Sequence, residues 1–275
     1  MKIVISIVVI GIVAMASAFV TTIPSYLEPV FSSYKLTKEL GIKADVDRSH
    51  NHHHAMEVLF WACDIMRQNI DTLHHPREIQ MIAQCSLLHD TIDEKYTDFS
   101  PQVRTHLNEW YEEKETDMLM RIMKDMSYSK VMEHGFPQWC LDLSLNYTMI
   151  YHVVREADLL SSYNLARMIE YRKYNKKMSI KNYTDTMIRK EMVDLYEIRM
   201  GKLIPNGLFV HPSSRERASQ LDGIAQLRLL LLPSLDISTS SQLDILRNID
   251  HLDIFTLILM LNDLSTSLIK KKKMI

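Results

Sequence analysis

The chain has 275 residues, a length that suits one domain with additions at its ends. Its 32 Lys and Arg against 34 Asp and Glu leave a formal charge of -2, which argues against a protein that coats nucleic acid or binds membranes by charge. With 47% apolar residues, only 6 glycines and no runs of alternating polarity, the composition disfavours strand-and-turn architectures and predicts an all-α fold.

The N-terminal segment is strongly apolar. Residues 3–20 form a run about long enough to span a membrane as a helix, so we interpret residues 1–22 as a signal anchor. Because residues 16–18 (ASA) also suit signal-peptidase cleavage, a removed signal peptide is the second interpretation, and a buried core helix is the third. Three lysines between residues 35 and 43 outnumber Lys2, which favours a membrane-anchored protein with its main domain in the cytosol.

Cysteine usage agrees with a reducing compartment. The three cysteines, Cys63, Cys85 and Cys140, are scattered through apolar helical stretches and show no CxxC spacing. This pattern predicts buried free thiols rather than a disulfide framework.

Helical patterning dominates the rest of the chain. Residues 23–44 contain two prolines and no clear period, and we interpret them as a linker with a short helix. Proline positions mark several helix starts and breaks. From about residue 48 onward, helical periodicity predicts helices over residues 77–89, 101–125, 138–158, 180–200, 213–231 and 240–270.

Four of the 12 histidines fall within residues 49–59, SHNHHHAMEVL. One of them, His54, is followed at helical spacing by Val58, Trp61 and Ile65, so it lies on the face that turns inward. A buried imidazole needs a polar partner, and a metal ion can supply one.

Two further segments carry potential metal ligands. In CSLLHDTIDEKY (85–96), His89 and Asp90 stand where an apolar helix ends. Helix neighbours diverge by about 100°, so this pair can share one cation only near a helix end. Asp158 lies between Ala157 and Leu159 in an apolar stretch, where an uncompensated charge would be costly to bury.

The order His54, His89-Asp90, Asp158 resembles the H…HD…D signature of the HD-domain superfamily of metal-dependent phosphohydrolases. Within it, SHNHHHAMEV (49–58), LLHDTIDEKY (87–96), MSYSK (126–130) and READLLSSYN (155–164) resemble segments of the YedJ/YpgQ-like branch. The likeness covers about residues 45–230. The chain departs from the branch at Asn51, where an aspartate is usual, and at Ser161 and Ser162, which replace Asp-Ala.

The resemblance implies an HD-domain helical bundle over residues 45–230, preceded by the N-terminal apolar segment and followed by a C-terminal helical extension over residues 231–275. Its metal ligands would be His54, His89, Asp90 and Asp158. Such a mixed nitrogen and oxygen set suits Mn²⁺, Mg²⁺, Fe²⁺ or Zn²⁺, and the family favours the first two. The expected activity is hydrolysis of a phosphoester or phosphoanhydride of a small nucleotide by a metal-activated water.

Asp90, Asp93 and Lys95 are the catalytic candidates. Lys95 would neutralise a phosphate oxygen, and Asp93 would orient the water or accept its proton. The alternative for Asp93 and Lys95 is a solvated loop with a local ion pair. Lys202, Arg215 and Arg217 are second-tier candidates for phosphate contacts, and the role that we expect for them is an ordinary one on the surface.

Two other functions remain open at this level. One is a catalytically weak HD domain that senses a nucleotide or mediates interactions at a membrane. The other, a di-iron oxygenase, would need more inward histidines than the pattern shows. The expected partner is a phosphorylated small molecule and not a nucleic acid. Membrane anchoring through residues 1–22 and a homodimer through the C-terminal extension are left open.

Overall fold

The computed structural model describes residues 23–45, 50–73, 75–92, 98–139, 145–179, 184–237, 240–249 and 252–273. Over these residues the regular structure is helical and contains no strand, which confirms the all-α prediction. The α-helices are α1 (Glu28–Lys43), α2 (His52–Gln68), α3 (Pro76–Leu88), α4 (Ser100–Asn108), α5 (Glu113–Asp125), α6 (Tyr128–His134), α7 (Leu145–Ser161), α8 (Leu165–Ser179), α9 (Asp185–Ile198), α10 (Pro212–Leu231), α11 (Ser240–Asp244) and α12 (Ile254–Lys272).

Helices α2, α3 and α7 form the centre of the molecule and pack against one another. In α2, six consecutive residues, 54–59, are buried, so neighbouring elements cover all faces of its first turns. A helix that is covered all round needs apolar residues on every face, which is why its pattern is broader than a single stripe. Cys63 and Cys85 are buried free thiols within this core, as predicted, and Cys140 lies outside the described residues.

Local capping sets where these helices begin. Asn51 caps α2, and its side-chain oxygen accepts a hydrogen bond from the His53 backbone N–H at 2.9 Å. Pro76 occupies the first turn of α3, where its missing N–H costs nothing. The helix predicted over residues 101–125 is instead two helices, because Glu112 and Glu115 form a capping box that starts α5.

For residues 23–44 the prediction is a linker with a short helix, and the structure shows a longer helix that packs on the core. This is the 16-residue helix α1, which packs on α3. Its buried face includes Ser33 and Thr37 beside Val30 and Leu40, and the Thr37 hydroxyl donates to the Leu87 carbonyl at 2.8 Å. Because two of the five buried residues of this helix are polar, apolar periodicity alone underestimates its length.

The last helix of the predicted C-terminal extension packs on the core. Helix α12 packs against α2 and α3 and buries Leu257, Leu261, Leu264 and Leu268 at helical spacing. An ion pair between Lys271 and Asp71 joins its last turn to the segment after α2. The core therefore continues well past residue 230.

In the part of the chain that the structure describes, no helix is both long enough and apolar enough to cross a bilayer. The predicted signal anchor, residues 1–22, lies outside that part.

If α12 belongs to the core, shortening its buried face must destabilise the whole domain. Leu261 is fully buried, whereas Leu259 on the same helix is 57% exposed. We expect Leu261→Ala to lower the free energy of unfolding by about 2–5 kcal/mol, and Leu259→Ala to change it by less than about 0.5 kcal/mol. Urea unfolding followed by circular dichroism measures both. Equal, small effects would show that α12 is a peripheral extension.

Candidate metal centre

Each of the three central helices brings a potential ligand to one place. His54 lies in the first turn of α2, three residues after its cap. His89 and Asp90 begin the 3-10 turn His89–Ile92 directly after α3. Asp158 lies in the last turn of α7, three residues before its end. The ends of three packed helices therefore meet at a common point.

The distances show a compact cluster. Nε2 of His54 lies 3.3 Å from Oδ2 of Asp90 and 3.4 Å from Oδ1 of Asp158. Nε2 of His89 lies 3.2 Å from Oδ1 of Asp90 and 3.9 Å from Oδ1 of Asp158. Ligand atoms of His54, His89 and Asp158 all lie within 4.8 Å of one another, a group that could hold a metal ion. The Asp90 carboxylate lies beside this group, with one oxygen near each imidazole.

The hydrogen bonding of His89 determines which of its two ring nitrogens carries a proton and which one can bind a metal ion. Nδ1 lies 3.0 Å from the Ser86 carbonyl oxygen, which can only accept, so Nδ1 carries the proton. In the neutral imidazole Nε2 is then an acceptor, and it faces a carboxylate oxygen of Asp90 at 3.2 Å. Two acceptors at this distance repel unless a positive centre lies between them. A bound cation satisfies several of these acceptors at once, whereas a proton satisfies one.

Unpartnered polar atoms also mark the cluster. His89 Nε2, Asp90 Oδ2 and His54 Nδ1 are buried and have no hydrogen-bond partner among the described residues. Leaving such atoms unsatisfied costs about 1–3 kcal/mol each. For His89 Nε2 and Asp90 Oδ2, which point at the shared centre, a bound divalent ion removes this cost.

Burial makes the cluster suitable for ligation. The side chains of His54 and His89 are 2% and 4% exposed, whereas those of Asp90 and Asp158 keep 22%. Burial, with Arg167 nearby, lowers the pKa of His54 to about 4, so the imidazole is neutral at pH 7. Burial opposes ionisation of Asp158, but a hydrogen bond from His54 and the fields of His89 and Arg167 outweigh it and lower its pKa. Neutral imidazoles and ionised carboxylates are the forms that bind metals.

A cleft of about 270 Å³ opens beside the cluster. His54, Asp90 and Asp158 line it together with three arginines, Arg167, Arg172 and Arg199. The sequence interpretation missed these arginines. Arg167 and Arg172 lie on α8, after the turn at residues 162–164, and Arg199 follows the end of α9, so spacing along one helix does not reveal that they share a cleft.

Each arginine is held in place. The Arg199 guanidinium lies over the Tyr128 ring at 4.5 Å, and its buried Nε has no hydrogen-bond partner in the described structure. Arg172 pairs with Glu191 at 3.5 Å. Arg167 donates to the Ser161 hydroxyl at 3.3 Å. Positive side chains therefore converge on the cleft in fixed positions.

The other predicted site residues lie outside the cleft lining or outside the described residues. Asp93 and Lys95 lie outside the described residues, so their roles stay predictions. Lys202 is exposed. Arg215 donates to the Phe209 carbonyl at 3.1 Å, and Arg217 pairs with Asp64 at 3.1 Å. None of these last three lines the cleft, so the phosphate contacts considered for them are not in place.

The departures from the family pattern have local explanations. Asn51 performs the capping role at the start of α2. The Ser161 hydroxyl donates to the Asp158 backbone carbonyl at 2.7 Å and accepts from Arg167, and so joins the aspartate to the arginine. Ser162 donates to the Leu159 carbonyl at 2.6 Å. Both serines close the last turn of α7 without removing a ligand.

Comparison of the chain with protein-family models, curated proteins and solved structures finds no match in any of the three. The likeness to HD-domain phosphohydrolases therefore rests on the quoted segments alone and stays a prediction.

If the cluster binds a divalent ion, Mn²⁺ must stabilise the fold. At about 100-fold over its dissociation constant, we expect a rise in Tm of about 5–10 °C. Asp158→Asn should reduce this rise to less than about 2 °C, because one charged ligand is lost. Differential scanning fluorimetry with and without a chelator measures the shift.

Asp117→Asn is the matched control, since Asp117 is an exposed aspartate that pairs with Arg104 far from the cleft lining. It should keep the full metal-dependent rise. An equal rise in the Asp158 variant and the wild-type chain would rule out this cluster as the binding site.

Proposed function

We propose that this protein is a metal-dependent phosphohydrolase that cleaves a phosphoester or phosphoanhydride bond of a small nucleotide. The observation that carries the proposal is that four potential metal ligands converge beside a cleft that three arginines line. The resemblance of the quoted segments to HD-domain phosphohydrolases supports the same activity.

His54, His89 and Asp158 would hold the ion, and Asp90 would complete the set from its position between the imidazoles. Mn²⁺ or Mg²⁺ is the proposed ion, since both accept mixed nitrogen and oxygen ligands and leave positions open. Such an ion lowers the pKa of a coordinated water and polarises a phosphoryl oxygen. The protein orients His89 for this role through its bond to the Ser86 carbonyl.

The arginines account for substrate binding. Three arginines against two aspartates leave the cleft lining with an excess of positive charge. Guanidinium groups bind phosphate oxygens in a planar, two-pronged geometry. Arg199, with a buried unpartnered Nε beside Asp158 and Tyr128, is the strongest candidate for a phosphate contact.

Turnover tests the proposal directly. The full chain, with Mn²⁺ and then Mg²⁺, is incubated with nucleoside mono-, di- and triphosphates and with inorganic tripolyphosphate, and released phosphate and pyrophosphate are measured. The full chain is needed because a truncation inside α1 would remove core residues. We expect Asp158→Asn to lower kcat/KM by at least about 100-fold, since several kcal/mol of transition-state stabilisation are lost with the ion.

Asp117→Asn should retain wild-type turnover in the same assay. Tight nucleotide binding without turnover, under either metal, would instead favour the nucleotide-sensing module.

Arg199 offers an independent test of substrate binding. A charge-assisted hydrogen bond is worth about 1.5–3 kcal/mol, so Arg199→Ala should raise KM by roughly 10-fold to 100-fold. Arg199→Lys should recover part of this loss, because the charge returns without the planar fork. Arg217→Ala is the control, since Arg217 pairs with Asp64 outside the cleft lining. Unchanged KM in the Arg199 variants would remove this residue from the substrate site.

A further inference from the structure

A second, larger cavity adjoins the arginine-lined cleft. Its volume is about 600 Å³, against about 270 Å³ for the cleft. His54 and Arg167 line both cavities, and the consecutive residues His50 and Asn51 lie one in each lining. The two cavities therefore share a boundary at the start of α2, and a ligand that crosses it can occupy both.

The size of each cavity limits what it can hold. Ligand pockets usually have volumes of about 300–1,000 Å³, so the cleft alone is small for a complete nucleotide. The adjoining cavity falls well within that range. A substrate whose phosphates lie among the arginines therefore has room for its remaining part next to His54.

A buried acid supplies a specific contact in this cavity. Glu57 and Asn164 line it and are only 5% and 4% exposed. Asn164 donates to Oε2 of Glu57 at 2.9 Å. Burial raises the pKa of this carboxyl and the Trp61 indole lies close enough to oppose that rise, but Oε1 is buried and accepts no hydrogen bond of good geometry from the described residues. An unsatisfied buried oxygen is costly, so the cavity favours a ligand that presents an N–H donor to it.

The remaining lining excludes a second phosphate group. Arg247 is already paired with Glu170 at 2.8 Å and with Asp244 at 2.9 Å, so its positive charge is more than balanced by two carboxylates and this part of the cavity does not attract an anion. Ile249 and Leu252 add an apolar wall. An uncharged ring with a polar edge fits this combination better than an anion.

One wall of the cavity comes from Asp244, Arg247, Ile249 and Leu252, which lie beyond the segment that resembles the family. Leu243 and Leu246 are buried and fix this stretch against the rest of the molecule. The Leu246 carbonyl accepts a hydrogen bond from the Ala166 N–H at the start of α8. The C-terminal region thus contributes directly to a pocket beside the candidate metal centre.

We propose that this cavity binds the nucleobase of the substrate, a flat uncharged ring whose N–H is read by Glu57, while the phosphates occupy the arginine-lined cleft. This assignment rests on the proposed phosphohydrolase function for the position of the phosphates. It places base selectivity in Glu57 and in the C-terminal wall, and phosphate binding in Arg199.

The two subsites can be tested separately with two half-ligands, an unphosphorylated nucleoside and inorganic tripolyphosphate. Isothermal titration calorimetry on the full chain measures binding of unphosphorylated adenosine, guanosine, cytidine and uridine, and separately of inorganic tripolyphosphate with Mn²⁺. Ile249→Trp fills the cavity from its apolar wall, and Leu252→Trp repeats the test from a second position. We expect either variant to weaken binding of the preferred nucleoside at least tenfold and to leave tripolyphosphate affinity unchanged within about twofold. Arg199→Ala should do the reverse.

Retained tripolyphosphate binding also shows that the tryptophan variants are folded. The assignment is overturned if no nucleoside binds at millimolar concentration, or if the tryptophan variants weaken both half-ligands equally. Binding of both half-ligands without hydrolysis of any nucleotide would support the base subsite and refute the phosphohydrolase proposal, so the two failures are distinguishable.

Discussion

The central constraint in this structure is the approach of two carboxylates to two buried imidazoles. His89 donates its Nδ1 proton to a backbone carbonyl, so its Nε2 faces Asp90 at 3.2 Å. His54 stands between oxygens of Asp90 and Asp158 at 3.3 and 3.4 Å. Two carboxylates and two imidazoles so close together, in a site with little exposure to water, are stable only when a positive charge lies among them. The protein maintains this arrangement because the ends of three core helices determine it.

The helices around the centre support the helices that carry the four side chains. Helix α1 is joined to α3 through the Thr37 hydroxyl, and α12 packs on α2 and α3, so the helices that carry His54 and His89 are supported on both sides. Helix α8 returns from the end of α7 and brings Arg167 back beside Asp158. Carboxylates that can bind a cation and arginines that can bind phosphate are therefore close together at one cleft. The C-terminal wall adds a second cavity next to it.

Sequence reasoning predicted the all-α class and named the four side chains that converge, since inward histidines and an aspartate in an apolar stretch are visible as pattern. It predicted only a short helix within a linker where α1 lies, because Ser33 and Thr37 pair with groups on other helices and so look like a polar interruption. It also missed Arg167 and Arg199, whose positions depend on how turns redirect the chain. Contacts made across helices leave no periodic signal, and the base cavity depends entirely on such contacts.

The most direct measurement of the central claim is an anomalous difference map at the manganese edge from crystals of the full chain grown with Mn²⁺. The account predicts one strong peak with His54, His89, Asp90 and Asp158 as ligands at about 2.0–2.3 Å, and with His89 bound through Nε2 rather than Nδ1. A peak at another place in the molecule, or no peak where these side chains meet, would contradict it.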